Sequence, residues 1–143
     1  HCSKSAGKTD LPVNRYHIPC LIYAPQLVKP RIEGRLVSQI DLAPTILGLM
    51  NLSYTSRFFG YDINRLAPGK ERVFISTYQD MGYIRDGKLV ILSPQRRVKT
   101  FRPDFTTGAN VPEKVSDSLV NEAISWYQGA SFLYRSGWYK RVK

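Results

Sequence analysis

Residues 17–24 read His-Ile-Pro-Cys-Leu-Ile-Tyr-Ala, a nearly continuous apolar run of strand length closed by Pro25. A strand that is apolar on successive residues presents oily side chains to both faces of its sheet. It is stable only where layers cover both faces, as at the centre of an α/β fold. This run therefore predicts a central strand, and the rest of the chain has to supply the layers around it.

Pro30 to Gly34 carries turn signals, and Arg35 to Ile40 leads into Asp41-Leu-Ala-Pro-Thr-Ile-Leu-Gly-Leu-Met50. Asp41 is placed to cap a helix whose first turn tolerates Pro44, because the first helical N–H groups have no intrahelical partner. Leu42, Ile46, Leu49 and Met50 recur at roughly helical spacing and predict a buried stripe packed on the sheet. Ser56 to Pro68, with Gly60 and the Pro68-Gly69 break, reads as a surface connection.

Short strands are expected over Arg72 to Thr77, Tyr83 to Arg85 and Leu89 to Leu92, with Asp86-Gly87 as a hairpin turn. Lys99 to Pro112 is polar and contains Pro103 and Gly108, so it reads as a loop. From Pro112 to Tyr139 a helical pattern returns through Val115, Leu119, Ile124, Trp126, Leu133 and Tyr134, with a break expected near Gly129. The order strand, helix, hairpin, helix points to an α/β layer. We read residues 1–143 as one domain. Residues 1–70 carry the core strand, helix and a site loop; residues 71–143 carry a hairpin subdomain and the C-terminal helix.

Composition narrows the partners. The apolar fraction of 43% and aromatic fraction of 12% are those of a chain that folds. The longest apolar runs fall well short of the roughly 20 residues that cross a bilayer. The formal charge of +10, from 21 Lys and Arg against 11 Asp and Glu, favours anionic partners. The chain opens without an initiator Met or a signal-like segment, the start expected of an interior segment or a processed product. Cys2 and Cys20 have no CxxC-type metal spacing; a disulfide and two free thiols both remain open.

The stretch from His1 to Pro19, with Ser38-Gln-Ile-Asp-Leu-Ala-Pro-Thr45, Arg57-Phe-Phe-Gly-Tyr-Asp-Ile63 and Tyr83-Ile-Arg-Asp-Gly-Lys-Leu89, resembles the sulfatases and their lipoteichoic-acid-synthase-like and phosphoglycerol-transferase relatives in the alkaline phosphatase superfamily. The resemblance covers residues 1 to about 95. It implies the C-terminal portion of an α/β sandwich with mostly parallel strands, ending in a small antiparallel hairpin and a helix. It also implies a parent enzyme that is a metal-dependent phospho- or sulfo-ester hydrolase or transferase. His1 matches the histidine of the family's Asp-His metal pair, whose Asp would precede position 1. The implied cofactor is a divalent metal ion, Mn or Mg first, with Zn or Ca as alternatives. The nucleophile and the other ligands would lie outside these residues, so no catalytic residue is assigned and the chain alone is expected to be inactive.

Lys8 lies eleven positions before Pro19, the place of a substrate-contacting lysine in sulfatases, where an ammonium suits an ester's nonbridging oxygens. His17 falls where the family has Arg or Lys; it either lines the anion pocket or satisfies a backbone carbonyl. On the residues alone, His1 is equally a solvated terminal histidine and Lys8 a solvated loop lysine. Asp41 reads as a helix cap and not as an acid or base.

Histidine at position 1 fits phosphoglycerol- or phosphoethanolamine-transferring relatives better than arylsulfatases. The resemblance therefore leans to a transferase at the cell envelope, in an extracytoplasmic domain of a membrane-anchored bacterial protein. The partners implied are a phosphate- or sulfate-ester substrate, lipid-derived in the envelope reading, and the N-terminal remainder of the parent enzyme. A different class of reading is a noncatalytic basic module binding anionic polymer or a membrane surface through Arg96, Arg97, Lys140 and Arg141, with Trp126, Trp138 and Tyr139 nearby. Nucleic acid is the weakest partner, since no recognised binding motif accompanies the basic and aromatic residues.

Overall fold

The computed structural model describes residues 11–57 and 59–138. Its centre is a five-stranded antiparallel meander of β1 (Val73–Ser76), β2 (Met81–Arg85), β3 (Lys88–Ser93), β4 (Arg97–Pro103) and β5 (Asn110–Pro112), side by side in chain order. Two helices accompany it, α1 (Leu42–Leu49) and α2 (Asp117–Arg135), with short 3-10 turns at Val13–Tyr16 and Gln39–Asp41.

The hairpin between β2 and β3 forms as expected. Arg85 pairs with Lys88, and Asp86 and Gly87 between them both take left-handed backbone angles, φ 50° and 68°. Two such residues in succession make the turn whose twist matches the flanking strands. Both strands are apolar on alternate and on intervening residues, so the sheet needs cover on two sides. Leu89, Ile91 and Ile84 face a cluster with Ile75, Phe101, Leu11 and Val13. Tyr83 and Val90 face Ala123 and the half-buried Leu119 and Trp126 of α2. The meander is thus the middle layer between the N-terminal segment and α2.

α2 is capped as its ends require. The Ser116 hydroxyl accepts from the Leu119 N–H, Asp117 sits in the first turn and Arg135 in the last, each opposing the helix dipole. Gly137, at φ 66°, turns the chain out of the helix.

Four expectations are corrected. Residues 17–24 form no strand: they are extended, pair with no other strand among the described residues, and leave Leu21 and Tyr23 90% and 86% exposed. A strand needs neighbours, and the described residues offer this run none; the sheet that does form is wholly antiparallel. The stretch Lys99 to Pro112, read as loop, holds β5 and all but the first two residues of β4, because Phe101 and Thr100 find partners on β3. α2 runs unbroken through Gly129, where an added Cβ would meet open space. On α1, Ile46 and Met50 are exposed, and the buried residues are Pro44 and Thr45. Its burial is decided by the neighbouring 59–63 segment and not by a stripe on the sheet.

Candidate functional site

The segment that leads to His17 is held at several points. Leu11 and Val13 are buried in the sheet core, and Gly82 leaves room for Leu11: a Cβ there would meet the Leu11 and Ile75 side chains. The Leu11 carbonyl accepts from Asn110 Nδ2 at 3.0 Å, and Tyr16 Oη donates to the Ser76 carbonyl at 3.0 Å. Asn14 sits against Gly108, at φ 79°, where any side chain would overlap its amide. A long-range set of bonds therefore fixes the direction in which the chain leaves the sheet at His17.

His17 itself is exposed, at the exit of the Val13–Tyr16 turn, with its backbone N–H donating to the Asn14 carbonyl at 3.4 Å. Its imidazole has no hydrogen-bond partner among the described residues, so it satisfies no backbone carbonyl there. His1 and Lys8 lie outside the described residues.

Among the described residues Asp41 is densely bonded. Its Oδ2 accepts from the Ser38 N–H at 3.0 Å and its Oδ1 from the Tyr61 N–H at 2.8 Å. Arg72 Nη1 donates to both oxygens at 3.0 Å, and Arg72 Nη2 donates to the Phe59 carbonyl at 2.7 Å. Both side chains are 2% exposed. The Arg72 guanidinium lies 4.2 Å from the Tyr61 ring centre and 5.4 Å from those of Phe74 and Trp126. Gly60 and Gly48 allow this junction to close: added Cβ atoms would collide with the Ile40 carbonyl and the Asp62 carboxylate. Thr45 Oγ1 completes it, donating to the Asp41 carbonyl at 2.6 Å and accepting from the Ile63 N–H at 3.1 Å.

Asp41 stands at the start of α1, but its carboxylate does not make the cap expected of it on that helix; it accepts from the Ser38 and Tyr61 N–H groups and pairs with an arginine on the flank of β1. Nothing local in the sequence signalled Arg72, which pairs across 31 positions. With its charge met by Asp41, Arg72 is a clamp between the Asp41-to-Ile63 motifs and the sheet, and not a free cation for substrate.

A second network joins sheet and helix. Tyr83 Oη donates to Glu122 Oε1 at 2.9 Å, and Arg85 pairs with the same carboxylate. Burial, and then the hydrogen bond to Glu122, push the Tyr83 phenol up to about 12. Lys88 pairs with Glu113, which Arg102 also approaches at 3.7 Å. Arg85, Lys88 and Arg102 are thus engaged within the molecule.

A divalent metal needs several hard or borderline donors converging on one point. Among the described residues no group of three or more His, Cys, Asp or Glu side chains is placed to hold one. The described residues therefore do not by themselves build a metal centre.

What the architecture defines is an α/β module of antiparallel sheet and C-terminal helix, joined by a buried ion pair to a motif-bearing N-terminal half. Residues 2–52 match the sulfatase family model. The whole fold is similar to a crystal structure of a protein in the alkaline phosphatase superfamily from Vibrio parahaemolyticus. The TM-score is 0.88 and the sequence identity 31%, over 95% of this chain and 33% of that one. Over residues 2–52 in sequence, and over nearly its whole length in fold, the chain is similar to members of the alkaline phosphatase superfamily. It spans about a third of the length of the structure it matches.

Proposed function

We propose that this chain is part of a metal-dependent phospho- or sulfo-ester hydrolase or transferase. The reading leans to phosphoglycerol or phosphoethanolamine transfer at the bacterial cell envelope, on the extracytoplasmic side of a membrane-anchored protein. The observation that carries the enzyme reading is the agreement of two independent likenesses, the sulfatase segment at residues 2–52 and the superfamily fold over 95% of the chain. The envelope lean rests on histidine at position 1.

In this reading His1 contributes one imidazole ligand to a divalent ion, Mn or Mg, and the remaining ligands come from other parts of the protein. The ion, when bound, stabilises negative charge on the ester and on an attacking hydroxyl. Lys8 and His17 supply positive or hydrogen-bonding contacts to the ester oxygens. The nucleophile is contributed from outside this chain. Support for His17 is its exposed position at the end of a segment pinned to the sheet, which presents it in one direction.

The exposed run Ile18 to Ala24 belongs to the same reading. Its apolar side chains and extended backbone suit a strand inside a larger sheet supplied by the N-terminal remainder of the enzyme.

The test is turnover of a nitrophenyl phosphodiester and a nitrophenyl sulfate by the intact protein with added Mn or Mg. We expect metal-dependent release from at least one probe, reduced by His1→Ala and Lys8→Ala. No release from either, with the protein folded and metal present, removes the enzyme reading.

A further inference from the structure

Where β1 turns into β2 and β3 into β4, the end of the sheet meets α2 across a groove of about 530 Å³. Its walls include Tyr78, Gln79 and Asp80 from the first turn, Ser93 from the second and Tyr127 from α2; Met81 and Leu92 form part of its floor. None of these residues takes part in the Asp41–Arg72 junction or precedes His17.

The first turn is rigid by its own bonds. The Thr77 N–H donates to the Asp80 carbonyl at 2.9 Å, and Thr77 Oγ1 accepts from the Gln79 and Asp80 N–H groups at 3.3 and 3.1 Å. The backbone is thus satisfied without help from the side chains at the tip. Those side chains remain available: the Gln79 amide, Asp80 carboxylate and Ser93 hydroxyl have no hydrogen-bond partner among the described residues. Tyr78 is 99% exposed and Tyr127 58% exposed, so two aromatic rings border the groove with faces open to solvent.

This combination selects a chemical class. Carboxylate, amide and hydroxyl groups together both accept from and donate to ligand hydroxyls, and exposed rings stack on apolar C–H faces. A volume of this size holds one or two sugar rings. A cationic ligand also likes tyrosine faces and a carboxylate. However, Arg96 and Arg97 stand in the adjoining turn, and Arg97 Nε is fixed on the Pro94 carbonyl of the groove at 3.3 Å. An anion is opposed by Asp80.

We propose that this groove is a binding site for a neutral saccharide, recognised by stacking on Tyr78 and Tyr127 and by hydrogen bonds to Gln79, Asp80 and Ser93. None of the groove residues is among those assigned to the ester chemistry, and the proposal does not depend on the protein being a transferase.

The experiment is saturation-transfer NMR on the intact protein with glucose, N-acetylglucosamine and maltose at millimolar concentration, and tetramethylammonium as a cationic control. Transfer to ring C–H protons of at least one sugar is expected, weakened about tenfold or more by Tyr78→Ala and by Tyr127→Ala and retained in Tyr78→Phe. Tyr78 packs on nothing, so its alanine variant keeps the fold and decides the matter if Tyr127→Ala does not. No transfer to any of the three sugars, transfer undiminished in Tyr78→Ala, or stronger binding of tetramethylammonium than of the sugars overturns the proposal.

Discussion

Arg72 is enclosed by Asp41, the Phe59 carbonyl and three aromatic rings, and its charge has no route to water. Removing one partner of such a pair leaves the other buried and uncompensated, which costs about 3–5 kcal/mol. We therefore expect Arg72→Met and Asp41→Asn each to lower the unfolding free energy by that order in urea denaturation. The double variant should lose less than the sum. Equal and additive losses under 1 kcal/mol, a magnitude typical of exposed pairs, would show that the pair is not a clamp.

Tyr83 gives a pH signature. Its phenol titrates near 12 when folded and near 10.0 when unfolded, so between those values the folded state holds more protons. Stability from this group is complete below pH 10.0 and is lost as pH rises towards about 12. Tyr83→Phe should flatten that loss in unfolding curves measured across the same window. Neither role was legible in sequence: Asp41 reads as a helix cap, which its carboxylate does not make, and its arginine and the Tyr83–Glu122 bond depend on partners 31 and 39 positions away.

At the scale of elements, legibility followed local chemistry. Asp86-Gly87 announces its own turn, so the β2–β3 hairpin could be read directly. The β3–β4 turn is Pro94-Gln95-Arg96, in which Gln95 and Arg96 adopt φ 61° and 59° without glycine or asparagine. With no turn signal, β4 looked like a loop. Left-handed angles cost a side-chain-bearing residue roughly 1–2 kcal/mol, so Gln95→Gly should stabilise by somewhat less than that, measured by thermal unfolding. Gly129 misled in the opposite direction. It lies inside α2 with open space around it, and Gly129→Ala should stabilise the protein by about 1 kcal/mol. Gly60→Ala, by contrast, meets the Ile40 carbonyl and should destabilise; a neutral result there would mean the junction at Asp41 is loosely packed.

For the whole molecule, residues 17–24 carry the largest mismatch between pattern and structure. Their composition is that of a covered strand, and in the described residues they are extended and uncovered. Composition registers the environment a segment is selected for, whereas strand formation depends on which neighbours are present; the run was legible and its partners were not. On the proposed reading, the amides of Ile18 and of residues 20–24 are protected from hydrogen exchange in the intact enzyme. Exchange as fast as in an unstructured peptide would place the run on a free surface instead.

On the proposed reading the chain is part of an ester-processing enzyme, and His1 is the residue that would tie it to the metal. The direct test is equilibrium binding of Mn to the intact protein beside its His1→Ala variant, with metal counted per molecule. The account predicts bound metal in the parent protein and at least about tenfold weaker binding in the variant, as loss of an imidazole donor requires. Unchanged affinity and stoichiometry in the variant would contradict it.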